Sequence, residues 1–128
     1  MVTIKTDPFP PDAVIRQLWQ LAWGIPGPES FQPILKRSLA HVGAYDSERL
    51  VGFVNVAWDG GVHAFLLDTC VLPELRRRGI AARLVGRAQA LATQRGAEWL
   101  HVDFEPQLEG FYRACGFQPT KAGLIRLT

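Results

Sequence analysis

Most of the chemistry in this 128-residue chain is concentrated between Asp68 and Gln94. An apolar stretch ends at Pro73, a basic loop Arg76-Arg77-Arg78 follows, and Gly79-Ile80-Ala81 opens a long helical pattern. The first turn of a helix leaves its N–H groups without intrahelical partners, and its dipole favours an anion there. Gly79 has no Cβ to hold a phosphate away from the backbone, and Ala81 is nearly as small. Guanidinium forks match phosphate oxygens. The chemistry on offer is therefore binding of a phosphorylated ligand. Neither Gly-x-x-x-x-Gly-Lys-Ser/Thr nor Gly-x-Gly-x-x-Gly is present, which excludes two common nucleotide loops on pattern. A solvated basic face or a nucleic-acid patch is the rival reading of these residues alone.

The flanking elements must form one domain, residues 1–128, since the length suits a single core that needs no metal or disulfide. Residues 2–6 predict a short strand. Pro11 and Asp12 start a helix with Val14, Leu18, Leu21 and Ala22 at helical spacing. Trp19 and Trp23 form an i,i+4 pair that either packs in the core or lines a pocket. Gly24-Ile-Pro-Gly-Pro28 ends this helix, and a second short one carries Phe31, Ile34 and Leu35. Strands follow over 39–45, 50–58 and 62–72, with Asp59-Gly60-Gly61 as a hairpin turn. The continuous apolar run at 64–67 predicts a central strand buried on both faces.

The helix from Gly79 to Gln94 carries an apolar stripe of Ile80, Leu84, Val85, Ala88, Leu91 and Ala92. Residues 99–104 predict a strand parallel to 62–72, because strand, helix and strand make a right-handed crossover. Pro106 opens a last helix with Leu108, Phe111, Tyr112 and Cys115, and short closing strands are predicted at 117–118 and 124–127. The fold class is α/β, with a mixed and mostly antiparallel sheet.

Composition sets further bounds. The net charge is only +2, yet five arginines (76, 77, 78, 83 and 87) fall within twelve residues. Such concentration fits one small polyanion better than a nucleic acid, which calls for a broader basic bias. Cys70 and Cys115 lie at apolar positions and read as buried small hydrophobes in a reducing compartment, so the cytoplasm is the expected location. The three histidines are scattered, and no metal site is expected. No run of 18 uncharged apolar residues exists, so no membrane span is expected.

Arg76-x-x-Gly79-x-Ala81, placed after Val71-Leu72-Pro73, resembles the acetyl-CoA signature of the GNAT superfamily of N-acetyltransferases. Phe111-Tyr112-Arg-Ala-Cys-Gly116-Phe117, some thirty residues on, resembles a second segment of that family. The resemblance covers roughly Val51 to Phe117. It implies the GNAT-like fold, in which the parallel strands on either side of the long helix splay apart to admit acetyl-CoA. By that resemblance the backbone of Cys70, Val71 and Leu72 pairs with the pantetheine arm. Arg76, Arg77, Arg78, Gly79, Ile80 and Ala81 hold the pyrophosphate. Tyr112 lies beside the cofactor sulfur and protonates the leaving thiolate. Many members carry Asn where this chain has Glu105, which puts one pantetheine contact in doubt and leaves Glu105 free to cap the helix.

Direct transfer to an amine needs a base, and Asp68 is the first candidate, then Asp103, then Glu105. An acid flanked by apolar residues has its pKa raised by desolvation, though Asp68 can equally be a hydrogen-bonded structural residue. The partners so implied are acetyl-CoA and a primary amine of a small molecule or peptide. A homodimer formed through the closing strands is also possible. The rival from another class is a non-catalytic acyl-CoA sensor of the same fold, which would not require Tyr112.

Overall fold

The computed structural model describes residues 1–128. Its order is β1 (Val2–Thr6), α1 (Asp12–Trp23), α2 (Gln32–Arg37), β2 (Ala40–Asp46), β3 (Arg49–Trp58), β4 (His63–Val71), α3 (Ile80–Gln94), β5 (Trp99–His101) and α4 (Glu109–Ala114). Single 3₁₀ turns at Pro73–Leu75 and Pro106–Leu108 precede α3 and α4. The strands form one sheet in sequence order, antiparallel except for the parallel pair β4–β5.

Helix α3 lies on one face of the sheet. The two approach closely at Gly52, where a Cβ would come within 3.0 Å of the Leu84 side chain and 3.2 Å of the Cys70 carbonyl. Leu84, Val85 and Ala88 are fully buried, as their spacing requires. Ile15 and Leu18 of α1, Phe31 just before α2 and Leu35 within it complete the core on the other face. Each large aliphatic residue so buried contributes roughly 1.5–3 kcal/mol. No helix is long and apolar enough to cross a membrane.

Three expectations are corrected. Strand β4 is central in the sheet but is not buried on both faces: Ala64 and Leu66 are buried, whereas Phe65 and Leu67 are 37% and 38% exposed. Phe65 and Leu67 lie opposite Ala57 and Asn55, on the face away from α3, and Leu67 lines a cavity there. The strand predicted at 99–104 ends at His101. The closing strands do not form, so the dimer edge built on them is lost as well. Residues 118–128 enter no backbone–backbone hydrogen bond, and Leu124, Ile125 and Leu127 are exposed. Their β propensity has no neighbouring strand to pair with.

The entry to α1 is fixed by a buried polar hub. His41, 1% exposed on β2, accepts the Phe9 N–H at Nε2 (2.9 Å) and turns Nδ1 towards Asp7 (3.6 Å). The Asp7 carboxylate accepts the His41 N–H (2.9 Å) and pairs with Arg95 at the end of α3 (2.8 Å). Asp7 and Phe9 hold positive φ angles of 48° and 47°, a cost the hub offsets. Burial lowers the pKa of His41, with Arg95 adding to the effect and Asp7 opposing it.

The neutral imidazole is the form that folds, since Nε2 must keep its lone pair. The unfolded chain binds the proton more readily, so stability is full above the unfolded pKa of 6.5 and declines as pH falls from there towards the lower folded pKa. Urea unfolding between pH 8 and pH 5 is expected to show this decline. A His41→Gln variant, less stable at pH 8, is expected to lose that part of the pH dependence.

Candidate active site

Strands β4 and β5 touch only at their beginnings. His63, Ala64 and Phe65 pair with Trp99, Leu100 and His101, and the pairing then stops. Beyond that point β4 carries a bulge. Leu67 faces Asn55 and Cys70 faces Phe53, so β4 holds one residue more than β3 over the same span. Asp68 lies in this extra turn with φ 61°, a left-handed conformation that Asp tolerates better than most residues. A bulge adds local twist and bends the strand that carries it. A gap is left between the ends of β4 and β5, and a cavity of about 710 Å³ opens there. Its wall is built from α1 (Trp23), the β4 bulge (Asp68, Thr69), the chain after β5 (Asp103, Phe104, Glu105), α4 (Glu109, Tyr112) and the C-terminal tail.

Tyr112 is 7% exposed and held by aromatic rings. Phe104 stacks on it at 5.0 Å, and Phe111 and Phe117 meet it edge-on at 4.9 and 5.7 Å. Burial raises its pKa, partly opposed by a hydrogen bond with Thr69. The phenol therefore stays protonated across the neutral range. Burial also raises the pKa of Asp68, which has no ion-pair partner. Asp103 and Glu105 are likewise free of cations. Glu105 stands at the N-cap of the 3₁₀ turn, but its side chain makes no capping hydrogen bond, contrary to the capping role open to it in sequence. Cys70 is buried, and burial together with the Asp68 charge pushes its thiol up to about 12, so it is no nucleophile near neutral pH.

The free edge of β4 is narrower than the three predicted backbone contacts. The Leu72 N–H is committed to the Val51 carbonyl at 2.9 Å. Strand alternation then directs the Val71 N–H to the opposite edge, where β5 does not reach. The Val71 carbonyl accepts a hydrogen bond from Arg76 Nε at 3.2 Å, and Arg76 Nη2 also donates to the Ala22 carbonyl at 3.1 Å. Arg76 thus ties the end of β4 to the end of α1.

The arginines divide into two groups. Arg83 donates to the Val2 carbonyl (3.0 Å) and Arg87 to the Thr6 hydroxyl (3.1 Å), both anchoring β1 to α3. Arg77 and Arg78 are exposed and make no hydrogen bond or ion pair within the chain. Arg77 has φ 65° and Gly79 has φ 79°. Left-handed residues set among right-handed ones converge successive N–H groups on an anion. A Cβ at Gly79 would meet nothing within 4 Å, so the glycine is required by its backbone angle and the space above it is open.

Sequence reasoning missed Thr69, Phe104 and Glu109, which carry no motif and reach the cavity only through the fold. It left Trp19 and Trp23 open. They meet edge-on at 4.4 Å, with Trp19 in the core and Trp23 on the cavity wall.

Comparison with known proteins agrees with this fold. An Arabidopsis thaliana protein, GCN5-related N-acetyltransferase 3, chloroplastic, is 37% identical over 76 residues, which is 59% of this chain and 32% of that one. This chain thus spans about a third of the length of that relative. A GNAT family acetyltransferase from Streptococcus pneumoniae TIGR4 superposes with a TM-score of 0.84 at 27% identity, over 100% of this chain and 98% of that one. An aminoglycoside N-acetyltransferase in complex with CoA superposes with a TM-score of 0.76 at 21% identity, over 100% and 95% of the two chains, which shows the shared fold alone. The model of the acetyltransferase (GNAT) family matches residues 6–117, from the end of β1 through α4, and the chain belongs to that family.

Proposed function

We propose that this chain transfers an acetyl group from acetyl-CoA directly to a primary amine. The observation that carries the reading is the cavity at the parted ends of β4 and β5, with Tyr112 and Asp68 in its wall. The Arg77–Ala81 loop, which follows β4 and opens α3, suits a pyrophosphate. An aminoglycoside N-acetyltransferase of the same fold has been solved with CoA and with a CoA-linked bisubstrate analogue.

In this reading the amine lone pair attacks the thioester carbonyl carbon. Negative charge develops on the carbonyl oxygen, where the free Val71 N–H donates. The amine loses its proton to Asp68, whose raised pKa makes it a better base than an exposed carboxylate. The C–S bond breaks, and the CoA sulfur takes a proton from the Tyr112 phenol. No covalent enzyme intermediate is required, in keeping with the inert Cys70 thiol.

Two outcomes follow. Calorimetric titration is expected to show micromolar acetyl-CoA binding. Arg77→Glu and Arg78→Glu are each expected to weaken it roughly tenfold, about 1.4 kcal/mol, without lowering thermal stability, because neither side chain is engaged in the fold. Unchanged binding in both variants would remove the loop from the site. The second concerns Tyr112→Phe, assayed by thiol release with an amine panel. A drop in kcat of about 10²-fold with little change in acetyl-CoA affinity is expected. The wild type should hold its rate to a pH above 10 before an alkaline limb appears, since the phenol pKa is raised, and the variant should lack that limb. Binding of acetyl-CoA with no release for any amine would instead indicate a sensor.

A further inference from the structure

We infer that the acceptor is a small amine carrying at least one further positive charge, and that Asp103 and Glu105 receive that second charge. The inference rests on the transferase reading above and specifies the substrate class of the same cavity.

Its basis is the distribution of charge. The chain has 14 Lys and Arg against 12 Asp and Glu. Yet the charged residues lining the cavity are Asp68, Asp103, Glu105 and Glu109, with no lysine, arginine or histidine among them. Glu109 is partly neutralised by Arg113 at 3.3 Å. The other three carboxylates have no cation in the chain to pair with. Asp68 is the residue at the β4 bulge, and in the transferase reading it serves the reacting nitrogen. Asp103 and Glu105 follow β5 on the other side of the gap and are too many for one amine.

An aromatic wall points independently to a cation. Trp23 is 41% exposed, and its ring is fixed edge-on against buried Trp19. Its π face attracts ammonium groups. The volume, about 710 Å³, suits a small molecule. An acceptor with a carboxylate or phosphate would set like charge against like, so such amines are discriminated against.

The test compares three acceptors of one length: 1,5-diaminopentane, n-pentylamine and 5-aminopentanoate. Each is assayed by thiol release from acetyl-CoA. The diamine is expected to exceed the monoamine in kcat/KM by tenfold or more, with the amino acid last. In an Asp103→Asn, Glu105→Gln double variant the diamine-to-monoamine ratio should fall towards one, chiefly through KM. A wild-type ratio near one, or a ratio unmoved by the double variant, would overturn the inference while leaving the transferase reading intact. If no amine turns over, calorimetry of the diamine into CoA-loaded protein still decides. Heat that the double variant abolishes supports the inference, and absence of heat overturns it. Acetyl-CoA titrated alone judges the cofactor site separately.

Discussion

The site depends on where the pairing of β4 with β5 stops. Parallel strands stay in register only while both keep the same pleat and twist. Here the register holds for three residues on each strand, and an extra residue in β4 then bends that strand at Asp68–Thr69. Leu66 and Cys70, before and after the bend, stay buried, while Asp68 and Thr69 at the bend itself line the cavity. Asp68 accepts a left-handed backbone to make this possible, a strain of about 1–3 kcal/mol that the paired strand on its β3 side must offset.

The arginine-rich loop shows how one residue type does two jobs. Arg76, Arg83 and Arg87 donate to carbonyl or hydroxyl oxygens of α1, β4 and β1, and so hold the ends of the sheet to the helices. Arg77 and Arg78 project without partners beside the open amides of α3. The rigid group aims the loop, and the free group supplies charge. On the other wall, Tyr112 is fixed by three aromatic rings, so its hydroxyl reaches the cavity at little further entropic cost.

Much of this could be read in the sequence, where periodicity and breakers agree. The α3 stripe, the Asp59-Gly60 turn and the strand–loop–glycine–helix order all report local preferences that the fold keeps. What escaped reading is set by distant partners. Arg83 is pinned by a residue 81 positions away, and Arg76 by one 54 positions away. Nothing in Leu67-Asp68-Thr69-Cys70 announces a bulge, because the extra residue is defined only against β3. Exposure of Leu67 follows from the cavity it lines, which only the assembled fold creates. Leu124, Ile125 and Leu127 have strand-like character, but a strand needs a neighbour.

The central claim is that acetyl-CoA lies across the free β4 edge and onto the first turn of α3. Amide chemical-shift mapping of the ¹⁵N-labelled protein during titration with acetyl-CoA tests it most directly. The account predicts the largest changes at Val71 and at Gly79, Ile80 and Ala81, with smaller ones at Thr69 and Tyr112. Changes confined to the outer face of α3 around Arg83 and Arg87, or saturating binding that leaves Gly79 to Ala81 unmoved, would contradict it.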